Sequence, residues 1–129
     1  MKTLNLFLLF FFLFSINSYS LPNCWDEFDD VSYFHDCYAE VEGLRRGDTY
    51  SGEFQYGKYN GWGTHIWYHG DPDLVGRVRY VGAWKDSKRH GQGTYTTEGN
   101  DKWIGIWEYD NCPKCMFCHA GGCSKSPYD

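Results

Sequence analysis

The chain has 129 residues, 12 Lys and Arg against 17 Asp and Glu for a net charge of −5, and Phe, Trp and Tyr at 20% of positions. The acidic balance argues against nucleic acid as a general partner, and the length suits one small domain with little room for two. Six cysteines, an even number in so short a chain, read as a disulfide framework and hence an oxidising compartment.

The chain opens with a leader. Lys2 precedes residues 4–14, which are Leu and Phe apart from Asn5, and Ser18-Tyr19-Ser20 offers small residues for cleavage. This is the order of a secretory signal peptide over residues 1–20. A retained signal anchor is the alternative, but the apolar run of residues 4–16 is shorter than the ~20 residues that span hydrocarbon. Cleavage after Ser20 starts the mature chain at Leu21 and removes Lys2, making the charge one unit more negative. No later segment is apolar enough to insert stably in a membrane.

Residues 21–48 form an acidic N-terminal cap. Asp26, Glu27, Asp29, Asp30, Asp36, Glu40 and Glu42 occur there, and residues 26–42 hold no Lys or Arg. A solvated acidic face accounts for them. A calcium loop would alternate its acids around a glycine turn, which residues 26–30 lack. Phe28, Val31, Phe34, Tyr38 and Val41 recur at threes and fours, predicting a short helix within residues 23–42, capped by Asp26 and stopped by Gly43. His35 can pair with Asp36 or Asp30.

From residue 49 the period changes to two. Strands are predicted at 49–55, 64–68, 79–85, 93–97 and 102–108, joined as hairpins by turns rich in Gly, Asn and Asp. Tyr50-Ser51-Gly52-Glu53-Phe54 returns as Tyr80-Val81-Gly82-Ala83-Trp84 and again as Trp103-Ile104-Gly105-Ile106-Trp107. Gly61-Trp62-Gly63 and Gly91-Gln92-Gly93 follow the first two copies at equal distance. A spacing repeated with the same residue types marks a repeat protein. The extra residues between the first and second copies coincide with residues 69–76, assigned to a connecting loop.

In each copy the aromatic, glycine and second aromatic share one strand face. Stacked hairpins then bury ring on ring, and the glycine lets a neighbouring ring lie flat on the backbone. Tyr50, Phe54, Tyr80, Trp84, Trp103 and Trp107 are therefore assigned to the core, with Gly52, Gly61, Gly63, Gly82, Gly91, Gly93 and Gly105 as structural positions. Tyr56, Tyr59, Trp62, Trp67 and Tyr68 are freer and form the candidate binding surface. His65 and His69 lie too far apart on a strand to share a metal unaided, and His90 reads as a turn residue.

The set Tyr-x-Gly-Glu-Phe, Gly57-Lys58 and Gly61-x-Gly63 resembles the MORN (membrane occupation and recognition nexus) repeat. The second unit resembles it too, with Ser87 where glycine is usual. The resemblance covers roughly half the chain, from Tyr50 to Trp107. It implies an elongated antiparallel sheet of hairpins and a tethering role through protein contacts. Lipid binding, also attributed to such repeats, belongs to an intracellular setting at odds with a leader and six cysteines.

The tail, residues 112–129, holds Cys112, Cys115, Cys118 and Cys123. With Cys24 and Cys37 these are disulfide candidates, in one of fifteen connectivities. Cys24 and Cys37 can bridge locally or pin the N-terminal segment to the tail. The alternative for the four tail cysteines, with His119 nearby, is a tetrahedral zinc site. Phosphate-loop, nucleophile-elbow and HExxH motifs are absent, and no cofactor is implied. The expectation is a mainly β, secreted or lumenal, non-catalytic module binding a protein or a surface glycan. A membrane-anchored adaptor stapled by zinc and a small carbohydrate-active enzyme using carboxylates such as Glu53 are the alternatives. Exposed edge strands make homodimerisation a further expectation.

Overall fold

The computed structural model describes residues 20–25, 30–43, 47–68 and 76–125. The leader up to residue 19, the Asp26 cap and the loop assigned to residues 69–76, save Gly76, lie outside the described residues. Eight strands follow in order: β1 Cys37–Glu42, β2 Thr49–Gln55, β3 Lys58–Tyr68, β4 Arg77–Lys85, β5 Lys88–Thr96, β6 Lys102–Trp107, β7 Met116–His119 and β8 Gly122–Lys125. Each pairs antiparallel with the next, giving one open meander.

Register converts the repeat into rows. Gly52, Gly63, Gly82, Gly93 and Gly105 stand side by side from β2 to β6, with Ala39 of β1 beside Gly52. Two positions away, Tyr50, His65, Tyr80, Tyr95, Trp103 and Phe117 make a parallel row. Tyr50 lies across the glycine row. A Cβ on Gly63 would sit 2.7 Å from its Cζ, so only glycine leaves the ring its place. The Tyr50 hydroxyl then donates to the Glu53 carbonyl at 3.1 Å. Tyr80 repeats the arrangement over Gly82 and Gly93 and donates to the Ala83 carbonyl at 3.1 Å.

The closing aromatic of each unit ties it to the unit before. Trp84 Nε1 donates to the Gly63 carbonyl at 3.2 Å, and Trp107 Nε1 donates to the Gly93 carbonyl at 3.1 Å. Edge-to-face contacts run from Tyr50 to Phe54 and Trp84, and from Tyr80 to Trp84 and Trp107. All five rings are buried. One face of a single sheet thus holds the core, and each ring contributes about 1.5–3 kcal/mol by leaving water.

The turns are tighter than the glycine-rich segments suggested. Tyr56-Gly57, Asp86-Ser87 and Tyr109-Asp110 each carry positive φ at both residues, at 51° and 71°, 51° and 61°, and 47° and 74°. These are two-residue turns whose twist matches the flanking strands. The strands on their C-terminal sides therefore begin earlier than predicted, at Lys58 and Lys88. Ser87 has a use that glycine would not serve: its Oγ accepts from Tyr59 N at 3.1 Å, and its N–H donates to the Tyr59 carbonyl at 2.9 Å. Asp110 does the same for Arg89. The third unit therefore keeps its turn without a glycine to announce it.

Both ends depart from the sequence reading. The helix predicted within residues 23–42 is not formed by the described residues. They hold a 3-10 turn, Val31–Tyr33, capped by Asp30, and then β1. Cys37, Ala39 and Val41 turn to the core face while Tyr38, Glu40 and Glu42 are exposed, a period of two. The free edge of β2 supplies six pairings to this segment, a ladder that local helical spacing cannot match. The Cys24–Cys37 bond and pairing of residues 22–24 with Tyr38 hold it there, and Phe34 meets Phe54 edge-on at 5.2 Å.

At the other end Cys112–Cys115 covers the core face, where a Cβ on Gly105 would lie 3.0 Å from Cys115 Cα. Cys118–Cys123 joins directly opposed residues of β7 and β8. Cap and tail therefore extend the sheet instead of flanking it. All three bridges are local, with separations of 13, 3 and 5 residues, so the cap is not pinned to the tail.

Candidate functional site

The core face carries more rings than it buries. Along one margin His65 stacks on Trp67 at 4.6 Å, and Trp67 lies 5.8 Å from Tyr95. Tyr95 lies 5.9 Å from Trp103, Trp103 lies 4.7 Å from Phe117, and Phe117 lies 5.8 Å from His119. His65, Trp67, Tyr95, Trp103 and Phe117 are all half-buried, supported from below and open above. The result is a ladder of rings, each beyond Trp67 tilted 42–61° to the next, that crosses the sheet from β3 to β7.

Trp103 joins it for a structural reason. It occupies the repeat position of Tyr50 and Tyr80, but its glycine, Gly105, is already covered by the Cys112–Cys115 loop. Its ring packs instead between Tyr95 and Phe117. The sequence reading assigned it to the core; the structure leaves it half-buried.

One cation stands beside the ladder. The Arg89 guanidinium lies 4.6 Å from the Trp107 ring centre and 5.4 Å from that of Tyr95. Arg89 Nε donates to Asp110 Oδ1 at 3.1 Å, and its terminal nitrogen donates to the Asp110 carbonyl. It is held in one geometry by the turn of the last unit. Burial pushes the Tyr95 hydroxyl above its ordinary range, and holds the His65 imidazole below its own. Both rings are therefore neutral near pH 7. His65 Nε2 is buried without a hydrogen-bond partner among the described residues.

The five residues assigned to a binding surface separate in the structure. Trp67 is in the ladder. Tyr59 stacks on Tyr50 at 3.5 Å and packs, half-buried, against the core, where burial pushes its hydroxyl up to about 12. Trp62 and Tyr68 point from the opposite face, and Tyr68 Oη accepts from Arg77 Nε at 2.8 Å. Tyr56 projects from its turn against His35, which pairs with Asp36 at 3.2 Å. The sequence reading missed Tyr95 and Phe117 as site residues. Tyr95 was findable, since it stands two residues past Gly93 just as His65 stands two past Gly63. Phe117 lies outside the repeat and carries no such signal.

His90 lies within β5 and packs near Tyr109, while His69 is outside the described residues. Glu53 is engaged structurally: its Oε1 accepts from Trp62 N at 3.1 Å. The four tail cysteines offered to zinc are bonded in pairs, and a disulfide sulfur is not the thiolate that zinc requires. Among the described residues no cluster of three or more His, Cys, Asp or Glu is placed to hold a metal ion.

The fold defines a disulfide-bonded, single-sheet β-meander, and three disulfides suggest an oxidising, extracytoplasmic environment. No protein-family model matches the chain, and no curated protein matches it.

Proposed function

We propose that the mature chain is a secreted, non-catalytic binding module whose aromatic ladder takes a glycan. The observation that carries this reading is the row Trp67, Tyr95, Trp103 and Phe117, half-buried, with ring centres 4.7–5.9 Å apart from β3 to β7. Sugar rings present apolar C–H faces that stack on aromatic rings, and a row of such faces suits successive sugars of a linear chain. Arg89, Asp110 and His119 supply donors and acceptors beside the stacked faces. A protein hot spot concentrates its rings in a sealed pocket, whereas these stand in an open line. The recurring two-residue turns support the resemblance of residues 50–107 to MORN-type units, serving here as a rigid platform outside the cytosol.

The test is titration of purified chain with a panel of soluble linear oligosaccharides, read by tryptophan fluorescence and calorimetry. Binding is expected to weaken at least tenfold in Trp67→Ala and Trp103→Ala, each loss amounting to ~1.4 kcal/mol or more. Tyr33→Ala, at a ring 72% exposed and away from the ladder, is expected to bind normally. Absence of saccharide binding, or equal loss in all three variants, refutes the reading.

A further inference from the structure

The opposite face of the sheet is independent of the ladder and has its own pattern. Ser51, Thr64, Val81, Thr94, Ile104 and Met116 stand in one register row from β2 to β7. The same row begins at Glu40 on β1 and ends at Lys125 on β8. Its centre is apolar or β-branched, one end is an acid and the other a base. Beside it Trp62 and Ile106, 52% and 50% exposed, flank a shallow groove of about 350 Å³ that Val81, Thr94 and Ile104 also line.

We infer that two copies of this chain pack through this face, about a two-fold axis parallel to the strands. Such an axis reverses strand order, so β1 meets the partner's β8 and β4 meets the partner's β5. Glu40 then faces the partner's Lys125 at both ends of the interface. Thr64 faces the partner's Ile104, Val81 faces the partner's Thr94, and Trp62 enters the groove beside the partner's Ile106. An isologous contact requires this self-complementarity. A reversed row with unlike ends satisfies it, while the parallel overlay would set Glu40 on Glu40. Two sheets stacked ~10 Å apart with strands nearly aligned is the ordinary geometry of a β-sandwich.

The size agrees. Eight strands at ~4.8 Å spacing and about five residues of strand give a footprint on the order of 35 Å by 17 Å per copy. Twice that is on the order of 1,200 Å², at the lower bound of specific interfaces. An interface of that size suits a reversible dimer. It leaves both aromatic ladders facing outward, presenting two ligand sites per assembly.

Sedimentation velocity of the disulfide-intact mature chain over the micromolar range is expected to show monomer and dimer in exchange. Ile104→Lys, at an exposed position, is expected to abolish the dimer while leaving the circular dichroism unchanged. Glu40→Lys alone and Lys125→Glu alone are each expected to weaken it roughly tenfold, since each places like charges at both ends. Mixed together, these two variants regain opposite charges at both ends, and native mass spectrometry is expected to show the heterodimer exceeding either homodimer. A chain that stays monomeric overturns the proposal. So does a dimer indifferent to Ile104→Lys, or one weakened only by Ser124→Pro in β8, which would place the contact at the sheet edge.

Discussion

Replacing Gly63 by alanine tests the central packing claim. The added Cβ would lie 2.7 Å from Tyr50 Cζ and 2.9 Å from Cε2, where atoms in contact need well over 3 Å. Tyr50 is 0% exposed, with Phe54, Tyr59 and Trp84 around it, so its ring has no free direction in which to withdraw. Overpacking of this kind costs about 1–3 kcal/mol. Displacing the hydroxyl from the Glu53 carbonyl adds ~1 kcal/mol for a hydrogen bond lost in the interior. A loss of about 3 kcal/mol lowers the melting midpoint of a domain this size by roughly 15 °C. Gly99→Ala is the control. Its Cβ would meet only Thr97 Oγ1, at 3.9 Å, and the change is expected to stay within ~0.5 kcal/mol. Thermal and urea unfolding under non-reducing conditions, followed by tryptophan fluorescence, compares the two. Equal midpoints for Gly63→Ala and Gly99→Ala would refute the reasoning.

The half-buried His65 takes a proton less readily in the folded chain than in the unfolded one, so its contribution is complete above an unfolded value of ~6.5 and is lost as pH falls below it. Urea midpoints measured between about pH 7 and pH 5 are expected to fall more steeply for wild type than for His65→Phe. Burial pushes the Tyr59 and Tyr80 hydroxyls up to about 12, so their contribution is complete below the ordinary value of 10.0 and is lost as pH rises from there. Tyrosinate absorbance of the native chain is expected to lag behind that of the urea-unfolded chain across that interval. A double-mutant cycle on Arg89→Ala and Asp110→Ala is expected to give a coupling of only ~0.5–1 kcal/mol, because the Asp110 side chain is 45% exposed and screened. Paired serine substitution at Cys24 and Cys37 is expected to cost ~3 kcal/mol in urea unfolding, from loop-closure entropy. The same change at Cys118 and Cys123 closes a shorter loop and is expected to cost ~2 kcal/mol.

Alternation of aromatic and glycine was enough, without a structure, to identify the sheet of hairpins and to bound β2 at Thr49–Gln55. It also assigned Tyr50, Phe54, Tyr80, Trp84 and Trp107 to the core. That information is local, because period two is a property of one strand and its two faces. Even cysteine count likewise indicated disulfides, though not their pairing. What one strand cannot specify is which side chain of its neighbour it faces. Register alone aligned the five glycines, stacked Tyr59 on Tyr50 against the core and left Trp62 outside. Register also set Tyr95, Trp103 and Phe117, far apart in sequence, beside one another. The helical spacing before Gly43 was overridden because the open edge of β2 offered a ladder and a disulfide secured it. Positive φ at Tyr109 and Asp110 was hidden for a similar reason: hydrogen bonds exchanged between Asp110 and Arg89 hold a turn that its residue types do not advertise. The rings that build the platform were legible from the sequence; their division between core, ladder and opposite face required the pairing of every strand with its neighbour.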